Sequence, residues 1–408
     1  MIVIIATLDT KGDKAAYLNQ LIKENGTETL VIDSGVLGVP YFKADIPREK
    51  VAEAAGKSLD SIASLGDETK AMNAMAKGAS KIVADLYASG ELEGVVGISG
   101  SLGMSLWLSV MKVLPIGVPK VLCCTLAFLP FAQPEICPPD LIVVPLVSDI
   151  WGINSITKRG LENAAGTIIG TTKIYKETGK TFGKSLLAIS TLGTSALKYI
   201  VELTPYFEKM GYEVAAFHMG QGQALEQLIR QGTFKGVLDL YLLELAMEAC
   251  GPPLFVTRGR LKAAGEKGIP QVIAPGAVGY VVWWDSLATM PEKFKERRKR
   301  QHGELAWLIE MTLEEVVKTA ELTAQRLNKG HGPRAVVIPR LGFVEWDKPG
   351  GVFYNPQRTE TFSRALRANL KPEVKVIELD MHINDRGFAE EVAKVFVSLT
   401  KDWEKKRA

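Results

Sequence analysis

Residues 2–11 read IVIIATLDTK, and residues 186–195 read LLAISTLGTS. Each is an apolar run that ends in Thr-Leu-x-Thr and passes into a helix-period segment. An apolar run without alternation is what a parallel strand covered on both faces requires. Runs of the same kind occur at Thr29–Asp33, Gly94–Ile98, Lys120–Thr125, Asp140–Pro145, Glu213–His218, Gly236–Asp239, Pro270–Ala274, Ala335–Pro339 and Val374–Leu379. Between them lie helix-period segments such as Glu68–Ser89, where Met72, Met75, Ala76, Ala79, Ile82, Val83 and Leu86 form one apolar stripe. Strand–helix alternation with right-handed crossovers predicts an α/β protein. The polar segment KETGKTFGK at 176–184 divides it. The expected architecture is two Rossmann-like subdomains, residues 1–178 and 184–408, each a mainly parallel sheet flanked by helices, with a cleft between them.

Composition narrows the function. The chain has 408 residues, 47% hydrophobic and 23% charged, with a net charge of +3. That balance excludes a disordered or fibrous protein and gives no electrostatic reason for nucleic acid or an anionic membrane as partner. Cys123, Cys124, Cys137 and Cys250 have neither zinc spacing nor the density of a disulfide framework, so a reducing, cytoplasmic setting is expected. Val121–Ala132, the longest apolar stretch, is shorter than the roughly 20 residues a membrane helix needs, and Pro130 interrupts it. The opening residues lack the basic flank of a signal peptide. The basic run Glu292–Arg300 reads as a solvated face beside a helix-period segment at 301–328, and Trp283-Trp284 as core or subunit-interface bulk.

In open parallel sheets, ligands bind beyond the carboxyl ends of the strands. Every Gly/Ser/Thr-rich segment here falls at such an end. Asp9, Thr10, Lys11 and Gly12 combine hydroxyls, a lysine and a helix start, which suits a phosphate; a plain capped helix with Asp9 or Thr10 as cap is the competing reading. Ser99, Gly100, Ser101 and Gly103 form a second loop whose small residues allow close backbone approach, although a tight turn also explains them. It is neither a Walker loop nor a G-x-G-x-x-G fingerprint. Gly193 and Thr194, then Gly220 and Gly222, then Gly276 mark the corresponding loops of the second half. His218 and His382 are the titratable groups suited to acid–base work or phosphate donation. Either could equally be a satisfied structural histidine, and Asn384 or Asp385 could cap the last helix. No metal-ligand spacing is present.

Six of these segments together resemble one family, the Tm-one-like ATP-binding proteins, named after the tomato mosaic virus resistance protein. They are ATLDTKG at 6–12, SGSLGMS at 99–105, FHMGQGQALEQLI at 217–229, APGA at 274–277, PGGVFYNPQ at 349–357 and MHINDRGFAEE at 381–391. The resemblance implies two Rossmann-like subdomains, ATP held by the family's loops, with or without Mg²⁺, and a homodimer. This chain is divergent: His218-Met219-Gly220-Gln221-Gly222-Gln223 replaces a richer His-Ala-Thr-Gly run, and Val278-Gly279-Tyr280 replaces an Asp-containing continuation. The expected function is therefore cytosolic nucleotide binding, with ATP or another phosphate-bearing small molecule in the interdomain cleft. Two alternatives stay open: an enzyme acting on a phosphorylated or carboxylate substrate, and a non-catalytic subunit of a larger assembly.

Overall fold

In the computed structural model, Ile2–Ala6 forms a fully buried strand, β1. Alternate side chains serve opposite faces of one sheet: Val3 and Ile5 join one core, Ile2, Ile4 and Ala6 the other. The structure describes residues 1–100, 103–125, 137–179, 182, 185–251, 258–304 and 306–405; the side chains of 193–197, 402 and 404 are outside that set. The chain divides into two compact units, Met1–Thr181 and Phe182–Ala408.

The first unit continues with α1 (Leu8–Glu24), β2 (Thr29–Asp33), α2 (Arg48–Ala54), α3 (Leu59–Ala63), α4 (Glu68–Ala88), β3 (Gly94–Ser99), α5 (Met104–Lys112), β4 (Lys120–Cys124), β5 (Ile142–Pro145) and α6 (Ser155–Thr178). Its sheet is parallel throughout, in the order β2-β1-β3-β4-β5, with Ile4 between Val31 and Val96. One face is covered by α1 and α6 through Leu18, Ile22, Leu161 and Ile168; the other by α2, α4 and α5 through Val51, Met75, Val83 and Val110.

The second unit comprises β6 (Leu186–Thr191), α7 (Gly193–Glu208), β7 (Glu213–His218), α8 (Gly222–Arg230), β8 (Phe234–Asp239), α9 (Leu243–Cys250), α10 (Ala263–Lys267), β9 (Gln271–Ile273), β10 (Tyr280–Trp283), α11 (Glu292–Lys295), β11 (Lys299–Gln301), β12 (Trp307–Glu310), α12 (Leu313–Asn328), β13 (Arg334–Pro339), α13 (Gln357–Asn369), β14 (Lys375–Leu379) and α14 (Arg386–Lys405). Its main sheet runs β7-β6-β8-β9-β13-β14, again all parallel. In both units the first strand lies between the second and the third. The two Thr-Leu-x-Thr segments thus leave equivalent strands.

Each apolar run read from the sequence is a strand of one of these sheets, and the fold class is as expected. A separate antiparallel sheet, β10-β12-β11, is not. The region 292–310 corrects the helical-face reading. Its basic residues are used in pairing: Arg297 Nη1 lies 2.6 Å from Glu315 Oε2 and Arg298 Nε 2.7 Å from Glu310 Oε2, which fixes β11 and the start of α12. A capping box between Thr312 and Glu315 starts α12 only at Leu313.

One contact shapes the wall beside the site. Gly78 of α4 rests on α2, where an added Cβ would overlap the Val51 carbonyl oxygen and lie 3.2 Å from the Ala55 nitrogen. Alanine gains about 1 kcal/mol of helix propensity over glycine, whereas overpacking costs about 1–3 kcal/mol. Gly78→Ala is therefore expected to lower the melting temperature, as measured by calorimetry, despite its better propensity.

Candidate functional site

Because β1 lies between β2 and β3, the crossovers leaving β1 and β3 pass to opposite faces of the sheet. A crevice opens between their carboxyl ends. There the structure holds a cavity of about 640 Å³, within the roughly 300–1,000 Å³ range of small-molecule sites. The β1–α1 turn contributes Thr7, Asp9, Thr10 and Lys11, and the segment after β2 contributes Ser34, Val36 and Leu37. From α3 and the start of α4 come Ile62, Ala63, Asp67, Glu68, Ala71 and Met72. The β3–α5 connection supplies Ser99, Gly100, Gly103, Leu106 and Trp107.

The polar end is organised around α1. Thr7 and Thr10 hydroxyls are 2.8 Å apart, and Lys11 Nζ donates to Thr10 Oγ1 at 3.3 Å. Burial lowers the Lys11 pKa, although Asp9 opposes the shift. Neither Asp9 nor Thr10 is the cap, as the plain helix-start reading had it: the helix begins at Leu8, whose N–H donates to Asp33 Oδ1 at 3.0 Å. Asp33 also accepts from Gly35 N at 2.8 Å, and burial raises its pKa. Asp9 Oδ2 accepts from Leu37 N at 3.1 Å, while its Oδ1 is buried with no partner among the described residues. Gly35 makes room for that carboxylate, since a Cβ there would lie 2.9 Å from Asp9 Cγ.

At β3, Ser99 Oγ donates to Gly100 O at 2.6 Å. Gly103, the residue before α5, brings no side chain to cap the first N–H groups of that helix, and it lines the cavity. The predicted residues Asp9, Thr10, Lys11, Ser99, Gly100 and Gly103 thus come together. Gly12 does not join them: it is buried against Tyr41, whose Cβ an alanine methyl would overlap. Ser101 lies outside the described residues. Sequence reasoning missed Trp107, Asp33 and the α3–α4 wall. The Asp33-Ser34-Gly35 triplet at a strand end was the available signal.

The second unit differs. His218 is exposed, its ring Nδ1 3.1 Å from Met219 O and its backbone N–H donating to Gln221 Oε1 at 2.8 Å. It borders a chamber of only about 80 Å³ with Trp284, His302 and Trp346. Gly276 borders a smaller one of about 20 Å³, and Gly193 and Thr194 fall in the first turn of α7. A groove of about 470 Å³ runs past Lys198, Glu202, Asn384 and Arg386, where Lys198 is paired with Glu345 and Arg386 with Glu202. Gly220 takes φ +89°, as its turn requires.

Gly222 answers to a buried ion cluster. A Cβ there would lie 2.5 Å from Arg260 Cδ and overlap the Glu244 carboxylate. Arg260, 1% exposed, donates to Glu226 at 2.9 Å, Asp239 at 2.6 Å and Glu244 at 2.7 Å. Gln271, Tyr241 and the N–H groups of Gly220, Leu261 and Ala263 complete those carboxylates' bonds. Removing one partner of a buried pair costs about 3–5 kcal/mol because the other charges are stranded. Arg260→Met is expected to lose about that much in urea unfolding.

His382 is 7% exposed and lines neither chamber nor groove. Its Nε2 lies 3.0 Å from Val344 O, Nδ1 accepts from Asn384 N at 3.2 Å, and its N–H donates to Asp385 Oδ2 at 2.8 Å. That pattern suits a neutral ring with its proton on Nε2. Burial lowers its pKa below 6.5. Its contribution to stability is then complete above pH 6.5 and lost as pH falls through the folded-state pKa. Comparing His382→Asn with the parent in urea at pH 7.5 and 5.5 should show a smaller acid-induced loss in the variant.

Among the described residues no group of three or more His, Cys, Asp or Glu is arranged to hold a metal, and no helix is long and apolar enough to cross a membrane. Fold and cavity define a two-domain α/β protein with a ligand-sized crevice at the switch point of its first sheet. The chain belongs to the UPF0261 family: residues 1–177 match the N-terminal domain of that uncharacterised protein family and residues 184–400 its C-terminal domain. UPF0261 proteins of Brucella melitensis and Clostridium tetani are each 34% identical to it; they cover 97% and 98% of this chain, which spans 94% and 98% of theirs. The ToMV resistance protein Tm-1 of Solanum lycopersicum is 31% identical over 97% of this chain and 55% of its own length. The likeness to the tomato resistance protein read from the motifs is thereby shown at the level of family membership. Among solved structures, an uncharacterized protein from Bacillus cereus aligns over 83% of this chain and 89% of that one, at 12% identity and a TM-score of 0.23.

Proposed function

We propose that the first unit binds a nucleotide, ATP foremost, in the crevice between the ends of β1 and β3. The observation that carries this reading is a cavity of about 640 Å³ whose one end combines Lys11, hydroxyls and the start of α5. A helix start and a lysine favour an anion. Val36, Ile62, Ala71, Met72 and Leu106 give the lining an apolar part that suits a planar base. The choice of ATP over other phosphate compounds rests on the family resemblance.

Charge decides the form of the ligand. Among the described lining residues Asp9, Asp67 and Glu68 face a single cation, Lys11, with Lys70 paired to Asp67 at 3.5 Å from outside the lining. A polyphosphate alone meets net repulsion there, so it enters as its Mg²⁺ complex. No reaction is assigned, because neither His218 nor His382 lines this cavity.

A thermal-shift panel of ATP, ADP, GTP, AMP and NAD with and without Mg²⁺ tests the reading. At 100 times its dissociation constant a ligand adds about 2.7 kcal/mol, a rise of roughly 5–11 °C for a domain of this size. The expected result is a rise with adenine nucleotides that is larger with Mg²⁺. A side chain at Gly103 would press on Ser99 Oγ, 2.9 Å from its Cβ, so Gly103→Val should abolish the rise. No rise with any nucleotide overturns the proposal.

A further inference from the structure

Trp107 sits on the first turns of α5, is 1% exposed and lines the cavity. Among the described residues its indole Nε1 has no hydrogen-bond partner. Buried tryptophan N–H groups nearly always find an acceptor, and an orphan calls for an explanation. A Cβ built on Gly103 would lie 3.8 Å from Nε1 and 2.9 Å from Ser99 Oγ. The indole nitrogen therefore lies near the carboxyl end of β3 and the start of α5.

The hydroxyl nearest that end does not serve as its acceptor. Ser99 Oγ is turned toward Gly100 O at 2.6 Å. Indole N–H is a donor only, so what completes it must be an acceptor. Two further donors stand at the same end of the cavity: the start of α5 and Lys11, whose Cε lies 3.9 Å from a Cβ built on Gly100. An anionic oxygen is the acceptor that such donors suit.

We infer that Trp107 is a ligand-binding residue whose indole N–H donates to a phosphoryl oxygen of the bound molecule. This deepens the nucleotide reading and rests on it. It also separates two parts of the ligand. The indole acts on the phosphate, so compounds bearing a phosphoryl chain should feel its loss, and the nucleoside part should not.

Calorimetric titration of the full chain and of Trp107→Phe with MgATP, magnesium tripolyphosphate and adenosine tests the inference. A hydrogen bond to a charged group supports a loss of about tenfold or more in affinity. MgATP and tripolyphosphate should weaken by that factor, with adenosine unchanged. Trp107→Tyr, which returns a donor on a smaller ring, guards against a simple folding defect and should weaken the phosphate compounds less than Phe does. Tryptophan emission should change on MgATP binding in the parent, and that change should be lost in Trp107→Phe. Equal affinity of parent and Phe variant for the phosphate compounds overturns the role of Trp107 while leaving nucleotide binding intact. An equal loss for adenosine and the phosphate compounds also overturns it, in favour of packing alone. A parent that binds none of the three overturns the nucleotide reading itself.

Discussion

The position of the first strand inside its sheet is the constraint on which the rest depends. A parallel strand must be reached by a right-handed crossover. With β2 on one side of β1 and β3 on the other, the connections must cover both faces. Leu18 and Ile168 close one face, Val83 and Val110 the other. Between the ends of β1 and β3 neither set of helices can follow, and a gap is left. The crevice is a consequence of strand order before any side chain is chosen.

Side chains decide what becomes of that gap, and the two units differ. In the first, Asp33 ties the start of α1 to the end of β2, and the small residues Gly35, Gly100 and Gly103 keep the gap clear. In the second, Asp239 stands at the end of the third strand and is committed to Arg260, with Glu226 and Glu244 drawn in from α8 and α9. Tyr241, Leu242 and Tyr280 are buried behind them. The same topology yields a cavity in one unit and a packed, ion-paired plug in the other. The glycines follow suit, Gly103 beside open space and Gly222 beneath a guanidinium.

Much of the fold was legible because burial on both faces writes a parallel strand as an unbroken apolar run. The strands at 29–33, 94–99 and 334–339 carry that signature with no competing pattern. The antiparallel sheet was hidden because β11, Lys-Arg-Gln, is polar and is fixed by ion pairs from Arg297 and Arg298 to residues 12 or more positions away. The candidate site was legible where it depends on local chemistry, as at Thr10, Lys11 and Ser99. It was not legible where it depends on what folds over it. Nothing local marks Trp107, whose significance is a missing partner, or Gly12, whose neighbour is Tyr41 from a loop after the next strand.

The loops of the second unit that carry Gln221 and Val278 follow the same physical logic. Val278 is wholly buried in a hydrophobic core, and Gln221 accepts the His218 N–H that shapes its own turn. Packing in one case and a turn in the other govern these residues. The residues lining the large cavity come only from the first unit. At the corresponding strand end of the second unit, Arg260 and its carboxylates fill the space that the first unit leaves open.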